Sequence, residues 1–364
     1  MIEIESLEEL GRVAARAQAA TGSMSGWQVQ GLDLTSVEEA LLGLDPRGAL
    51  FLGCTLTDAT ADRLRAGGAL LFPEVPDVPF DPWRPLLYTP AELYDGLEDG
   101  YPSTTDATVY AWSQQVHARS SLKDLLAQSL HDRSIDDALR EYVEGRRIIG
   151  VMGGHRLTRD HDDYARAAHL AHDLAASGGT VATGGGPGAM EAANLGARLA
   201  DLDREVLDGV LERIRTVPSF TEDITAWAGV GLEAVDGLED SGRSLGIPTW
   251  HYGHEPPNPF CSAVAKYFRN AIREDILLEV CGAGIVFLPG AAGTVQEVFQ
   301  AACTNYYAPD GETVPMVFVG QEHWTERLPA WPLVGALALG RPFETRLDLV
   351  DSTTEVLGLL LHDR

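Results

Sequence analysis

Apolar and polar positions change period several times along the chain, and each change marks an element. Glu8 to Ala20 carries helical spacing, and GALFLGCTL (48–56) is an unbroken apolar run of the buried-strand kind. Thr57 to Ala66 reads as a helix with a Thr/Asp start, and ALLF (69–72) as the next strand. PEVPDVPFDPWRPLLYTP (73–90) is too proline-rich for either state. Its Phe80, Trp83, Leu86, Leu87 and Tyr88 make it an arm that packs on something. Ser121 to Glu144 is a polar helical connector.

After Arg147 the strands end in glycine. RIIGVMGG (147–154), GTVATGGG (179–186) and GAGIVFLPG (282–290) are apolar runs with glycine at their carboxyl ends, and VPMVFVG (314–320) follows the same form. Helical patterns at Tyr164–Ser177, Gly188–Leu199 and Thr294–Tyr306 alternate with them, while 206–217 and 224–235 are weakly patterned. This alternation predicts an α/β fold with a doubly wound, Rossmann-like parallel sheet over 141–364. A smaller α/β domain precedes it over 1–140. Ligands of such sheets sit outside the carboxyl ends of the strands, where all the glycine clusters fall. The chain shows no internal repeat and no low-complexity tract.

Composition narrows the function classes. The 364 residues are 45% hydrophobic and 22% charged, which excludes disorder, and the length suits two domains. A net charge of −27 repels polyphosphate backbones and anionic membranes, so neither a nucleic acid nor a membrane surface is an expected partner. A phosphate-bearing ligand must be small and held by local groups. Cys54, Cys261, Cys281 and Cys303 are scattered without metal spacing, as buried cysteines in a reducing compartment are. The acidic, amphipathic start and the lack of a long apolar run predict a cytoplasmic protein.

Four constellations carry the candidate chemistry. In TGGGPGAMEAANLGA (183–197), Gly184, Gly185, Gly186 and Gly188 let the backbone approach a ligand at a helix N-terminus, which favours phosphate; a tight strand-to-helix turn needs the same glycines. In LPGAAGTVQE (288–297), Gly290, Gly293 and Thr294 open a second such helix. Thr294-x-x-Glu297 also has the form of a capping box. In YFRNAIREDILLEV (267–280), Val264, Tyr267, Phe268, Ala271, Ile272 and Leu278 share a helical face, interrupted by Asp275. Arg269 and Arg273 share another, either as solvated charges or with one reaching the sheet edge. GIPTWHYGHEPPNPF (246–260) reads as a rigid loop that stacks on a base or packs under the site. Its His251 and His254 lack helical geometry for a metal, and no metal is expected. Gly153, Gly154 and His155 also end a strand at this edge. The two lysines, Lys123 and Lys266, follow no pyridoxal phosphate motif.

GGGPGAM (184–190) and PGAAGTVQE (289–297), in this order, resemble the GGGxxGLM and PGGxGTxxE signatures of the LONELY GUY (LOG) family, long mislabelled lysine decarboxylases. The resemblance spans about 146–320. With its additional N-terminal region the layout is similar to the bacterial nucleotide 5′-monophosphate nucleosidases of that superfamily. It implies hydrolysis of the N-glycosidic bond of a nucleoside 5′-monophosphate to free base and ribose 5-phosphate. It also implies a Rossmann-like fold, a homodimer or homotetramer, and no cofactor. The family pattern makes Glu297 and an arginine on the preceding helix catalytic, Arg273 or, by a competing alignment, Arg269. Gly153, Gly154, Gly184, Gly185, Gly186, Gly188, Gly290, Gly293 and Thr294 would hold substrate and phosphate. Ala291 stands where the family has glycine, and Glu274 where its MxxRK motif has lysine. A nucleotide sensor that keeps the crevice without turnover is the competing function, and residues 1–140 would regulate or oligomerise.

Overall fold

The first 72 residues repeat a strand–helix alternation: β1 (Ile2–Ile4), α1 (Leu7–Ala20), β2 (Trp27–Gln30), α2 (Glu38–Leu42), β3 (Leu50–Leu52), α3 (Asp58–Ala66) and β4 (Leu70–Phe72). The computed structural model describes residues 2–119, 121–251, 255–309 and 311–361. The four strands pair in parallel in chain order. Ser6 and Thr57 start α1 and α3 by accepting the amides of Glu9 and Thr60 on their hydroxyls, satisfying donors that a helix start leaves open. Leu10 and Ala14 of α1 and Leu64 of α3 close over Ile4, Trp27, Val29 and Phe51 in one apolar cluster. The proline-rich arm packs in part. Trp83 is buried against Gly53, where a Cβ would meet its ring at 2.2 Å, and Phe80 stands edge-on to Trp112 and His131; Leu86 stays exposed.

The chain divides into two compact units, Met1–Leu87 with Trp112–Ala138, and Tyr88–Ala111 with Leu139–Arg364. In chain order α4 (Pro90–Leu93), α5 (Thr105–Arg119) and α6 (Leu122–Val143) follow β4. The segment 88–111 therefore packs with the larger unit. Its Asp106 is buried there with Lys266: the carboxylate accepts from Lys266 Nζ at 2.5 Å, Trp250 Nε1 at 2.8 Å and the Tyr101 hydroxyl at 2.8 Å. A buried charge pair is tolerable when both members are hydrogen-bonded in this way.

The larger sheet is wholly parallel. Its elements are β5 (Arg147–Met152), α7 (Asp162–Ala176), β6 (Gly179–Thr183), α8 (Ala189–Arg198), α9 (Arg204–Ile214), α10 (Ile224–Val235), β7 (Ser244–Gly246), β8 (Ala263–Val264), α11 (Asn270–Val280), β9 (Ile285–Phe287), α12 (Ala292–Tyr307), β10 (Met316–Val319), α13 (Ala330–Ala338), β11 (Leu347–Val350) and α14 (Thr353–Leu361). The strand order is β11-β10-β9-β5-β6-β7-β8. Chain direction across the sheet reverses between β5 and β9, the switch point at which doubly wound sheets open a crevice. Helix α7 packs on α8 and α14, and α12 on α11 and α13. At the α7–α8 contact a Cβ on Gly196 would lie 1.9 Å from the Ala168 carbonyl oxygen, so this approach requires glycine. No described helix is long and apolar enough to cross a membrane.

Three sequence expectations need correction. The helix read over 267–280 starts only at Asn270, because Tyr267 and Phe268 belong to the extended run that pairs with residues 248–250. Its buried face is Asn270, Arg273, Glu274, Leu277 and Leu278, whereas Ile272 is exposed. The apolar face drawn from sequence thus had the wrong phase. Cys303 is exposed, unlike Cys261 and Cys281.

Candidate functional site

Helix α12 begins at Ala292, with Ala291 as a cap residue that contributes no side-chain bond. Thr294 and Glu297 therefore do not form a capping box. The amides of Ala291, Ala292, Gly293 and Thr294 have no hydrogen-bond partner among the described residues, so this helix presents an open, electropositive start. A Cβ at Gly290 would fall 2.1 Å from the Thr294 hydroxyl, so this glycine is fixed by the turn itself. A Cβ at Gly293 would meet nothing within 4 Å. Ala291 adopts a negative φ of −124° that any residue accepts, so its replacement of the family glycine strains nothing.

Glu297, on the second turn of α12, is half-buried and has no hydrogen-bond partner among the described residues. Loss of solvent pushes its carboxyl up to about 7; the Arg273 guanidinium opposes the shift, and Glu274 adds to it. A carboxylic acid poised near neutrality is the state that acid–base work requires. Arg273 is buried, donates to Asn270 Oδ1 at 2.7 Å and lies 3.6 Å from Glu274. Its Nε is buried with no partner. Its Nη1 lies 3.5 Å from where a Cβ on Gly184 would stand, so α11, α12 and the turn after β6 converge. Arg269, before the helix begins, is exposed. The structure thus gathers Arg273, and not Arg269, with Glu297.

The glycines after β6 and β5 are mostly committed to packing. Gly185 and Gly188 have φ of +70° and +76°. A Cβ on Gly185 would lie 2.7 Å from Pro248, and one on Gly188 2.5 Å from the Gly154 oxygen. The Gly185 amide donates to Thr183 Oγ1 at 2.9 Å. Gly154 donates to the Pro289 oxygen at 3.2 Å, and a Cβ on Gly153 would touch Ala189 at 2.7 Å. These amides cannot all serve a phosphate as the motif suggested, whereas those of Gly184 and Gly186 have no partner among the described residues. Gly290 donates to His323 Nε2 at 3.3 Å.

A buried polar network missed in the sequence holds the triple-glycine turn. Asn258 donates its amide to the Gly185 oxygen and its side chain to the Gly186 oxygen and to Asn194 Oδ1, while Thr183 donates to the same Asn194 atom at 2.6 Å. Asn258 is preceded by prolines, and nothing local marks it. Trp250 is buried, with Phe268 at 4.8 Å between ring centres, so it packs under the site and stacks on no base. His251 is exposed, and His254 lies outside the described residues. Among the described residues no group of three His, Cys, Asp or Glu stands close enough to hold a metal. His155 lies 3.5 Å from Glu255.

No family model matches the sequence, and no curated protein matches it. Among solved structures, the molybdenum cofactor binding protein from Rippkaea orientalis is 20% identical with a TM-score of 0.37, covering 59% of this chain and 95% of its own. The structural genomics target TM1055 is 16% identical with a TM-score of 0.35, covering 60% and 99%. The Moco carrier protein from Chlamydomonas reinhardtii is 17% identical with a TM-score of 0.35, also covering 60% and 99%. The Rossmann-like assignment rests on this chain's own parallel order and switch point.

Proposed function

We propose that the chain hydrolyses the N-glycosidic bond of a nucleoside 5′-monophosphate, releasing the base and ribose 5-phosphate. The observation that carries the reading is the half-buried, unpartnered Glu297 carboxyl, raised to about 7, beside Arg273 at the open start of α12. The 5′-phosphate lies on the free amides of Ala291 to Thr294, with the Thr294 hydroxyl as a further donor. Arg273 sets its guanidinium charge beside the Glu297 carboxyl. Leaving of the base develops positive charge on the ribose ring, by analogy with glycoside hydrolysis, and the Glu297 carboxylate stabilises it and takes a proton from the attacking water. Water's oxygen bonds C1′, and the base leaves with the C1′–N electron pair and gains a proton. Holding the phosphate fixes the sugar against Glu297, itself a large rate term. No metal or organic cofactor enters this scheme. The chain acts on a small molecule, in the cytoplasm, as a homodimer or homotetramer.

The test is incubation of the purified protein with AMP, GMP, CMP, UMP and isopentenyladenosine monophosphate, with free base read by chromatography. Base release that disappears in Glu297→Ala is the expected result. Binding without release from any of the five would replace the hydrolase by a nucleotide sensor.

A further inference from the structure

A cleft of about 1080 Å³ opens over the carboxyl ends of the strands and reaches the loop that precedes α12. Pro289, Gly290 and Ala291 line it, so it begins where the proposed phosphate loop begins. Neither Glu297 nor Arg273 lines it. It extends from the loop after β5 to the starts of α7 and α14, away from the reacting carboxyl. Its volume lies at the upper end for small-ligand sites, roughly 300–1000 Å³.

The charge of its wall differs from that of the chain. The whole sequence carries 54 acidic against 27 basic residues. The cleft is lined by three arginines, Arg156, Arg166 and Arg204, three aspartates and four of the ten histidines. Asp163 pairs with Arg166 at 2.7 Å, and Asp173 pairs with Arg204. Asp351 accepts the Gln321 amide at 2.8 Å. Arg156 is exposed and meets no carboxylate among the described residues. It follows by two residues Gly154, whose amide is bonded to Pro289, so the loop bearing this unpaired cation is tied to the phosphate loop.

We propose that this cleft receives a second phosphoryl group, so that the site takes nucleoside 5′-diphosphates in preference to the monophosphates. This rests on the reading of α12 as the phosphate loop. A 5′-phosphate on the α12 amides directs its next substituent into the cleft, where Arg156 is the cation free to meet it. The reaction is unchanged: water adds at C1′, the base departs with the bonding pair and a proton, and the sugar keeps its diphosphate. The general field of the chain repels an anionic extension, so local guanidinium groups must supply the attraction.

The experiment is calorimetric titration of Glu297→Gln, which keeps the ligand intact, with the AMP/ADP, GMP/GDP, CMP/CDP and UMP/UDP pairs and with inorganic pyrophosphate. At least one diphosphate is expected to bind tenfold or more tightly than its monophosphate. Adding Arg156→Glu should abolish that advantage and leave monophosphate affinity within twofold. Equal affinity within every pair, or an advantage that survives Arg156→Glu, overturns the proposal. Pyrophosphate reads the cleft without a base. If no nucleotide binds, pyrophosphate binding lost in Arg156→Glu upholds the cleft, and its absence removes it. Failure of base release in the assay above bears only on the hydrolase.

Discussion

The turn after β6 and the loop after β9 read alike in sequence: an apolar strand, clustered glycines, then a helix. In the structure they differ. After β6, Gly185 and Gly188 have positive φ and lie against Pro248 and the Gly154 oxygen, and the Gly185 amide is bonded. After β9, Gly290 is fixed by Thr294, but Gly293 faces open space and four successive amides are unbonded among the described residues. One set of glycines permits close packing, the other leaves room for a ligand. A glycine motif alone cannot distinguish these two uses, because both require the lack of a Cβ. What distinguishes them is whether neighbouring protein atoms fill the space.

The sharpest break comes at Glu297, on the open loop's helix. Glu297→Gln should lower base release by about 10²–10⁴-fold, the range for loss of a general base, with the fold intact by circular dichroism. A comparable loss in Gly188→Ala with Glu297→Gln unaffected would put the chemistry at the other turn. Gly188→Ala should cost about 2–4 kcal/mol of stability, since φ of +76° and the Gly154 oxygen both oppose a Cβ. A denaturant midpoint reads this directly.

Titration of Glu297 gives the next effect. A carboxyl raised to about 7 when folded binds its proton more tightly than in the unfolded chain. Its ionisation therefore costs stability above pH 7, and the cost fades as pH falls toward the unfolded value near 4.5. Glu297→Gln should be more stable than the parent at pH 8 by about 3 kcal/mol, and equal to it near pH 4.5. Base release by the parent should rise as pH passes about 7. The smallest effect separates the two glycine sets by sign. Gly293→Ala, on a helix with open space, should raise stability by about 0.5–1 kcal/mol while weakening nucleotide binding severalfold. A loss of stability there would mean that the loop after β9 is also a packing device.

The sheet, its parallel sense and the glycine-bearing edge were legible in the sequence because buried parallel strands are continuous apolar runs with abrupt glycine ends. Strands β1, β2, β7 and β8 are two to four residues long, and β1 carries Glu, β2 two Gln and β7 Ser, too little for a periodic signal. The phase of α11 failed for a physical reason. Its buried face holds Arg273 and Glu274, which hydrogen bonds to Asn270 and Gln296 make tolerable, so hydrophobicity pointed to the wrong side. Asn258 supports the glycine turn over a separation of 72 residues and carries no local signature. The segment 88–111 joins the larger unit through Asp106 and Lys266, 160 positions apart, which no linear division of the chain could locate.

That buried pair has a practical corollary, because the sequence holds only two lysines. Lys123 leaves 45% of its side chain exposed, and Lys266 leaves 1%. An amine-reactive dye on the native protein should therefore label Lys123 and pass over Lys266. Slow appearance of label at Lys266, followed by mass spectrometry, would then time the transient opening of the larger unit, and the chain would carry its own single-residue clock for local unfolding.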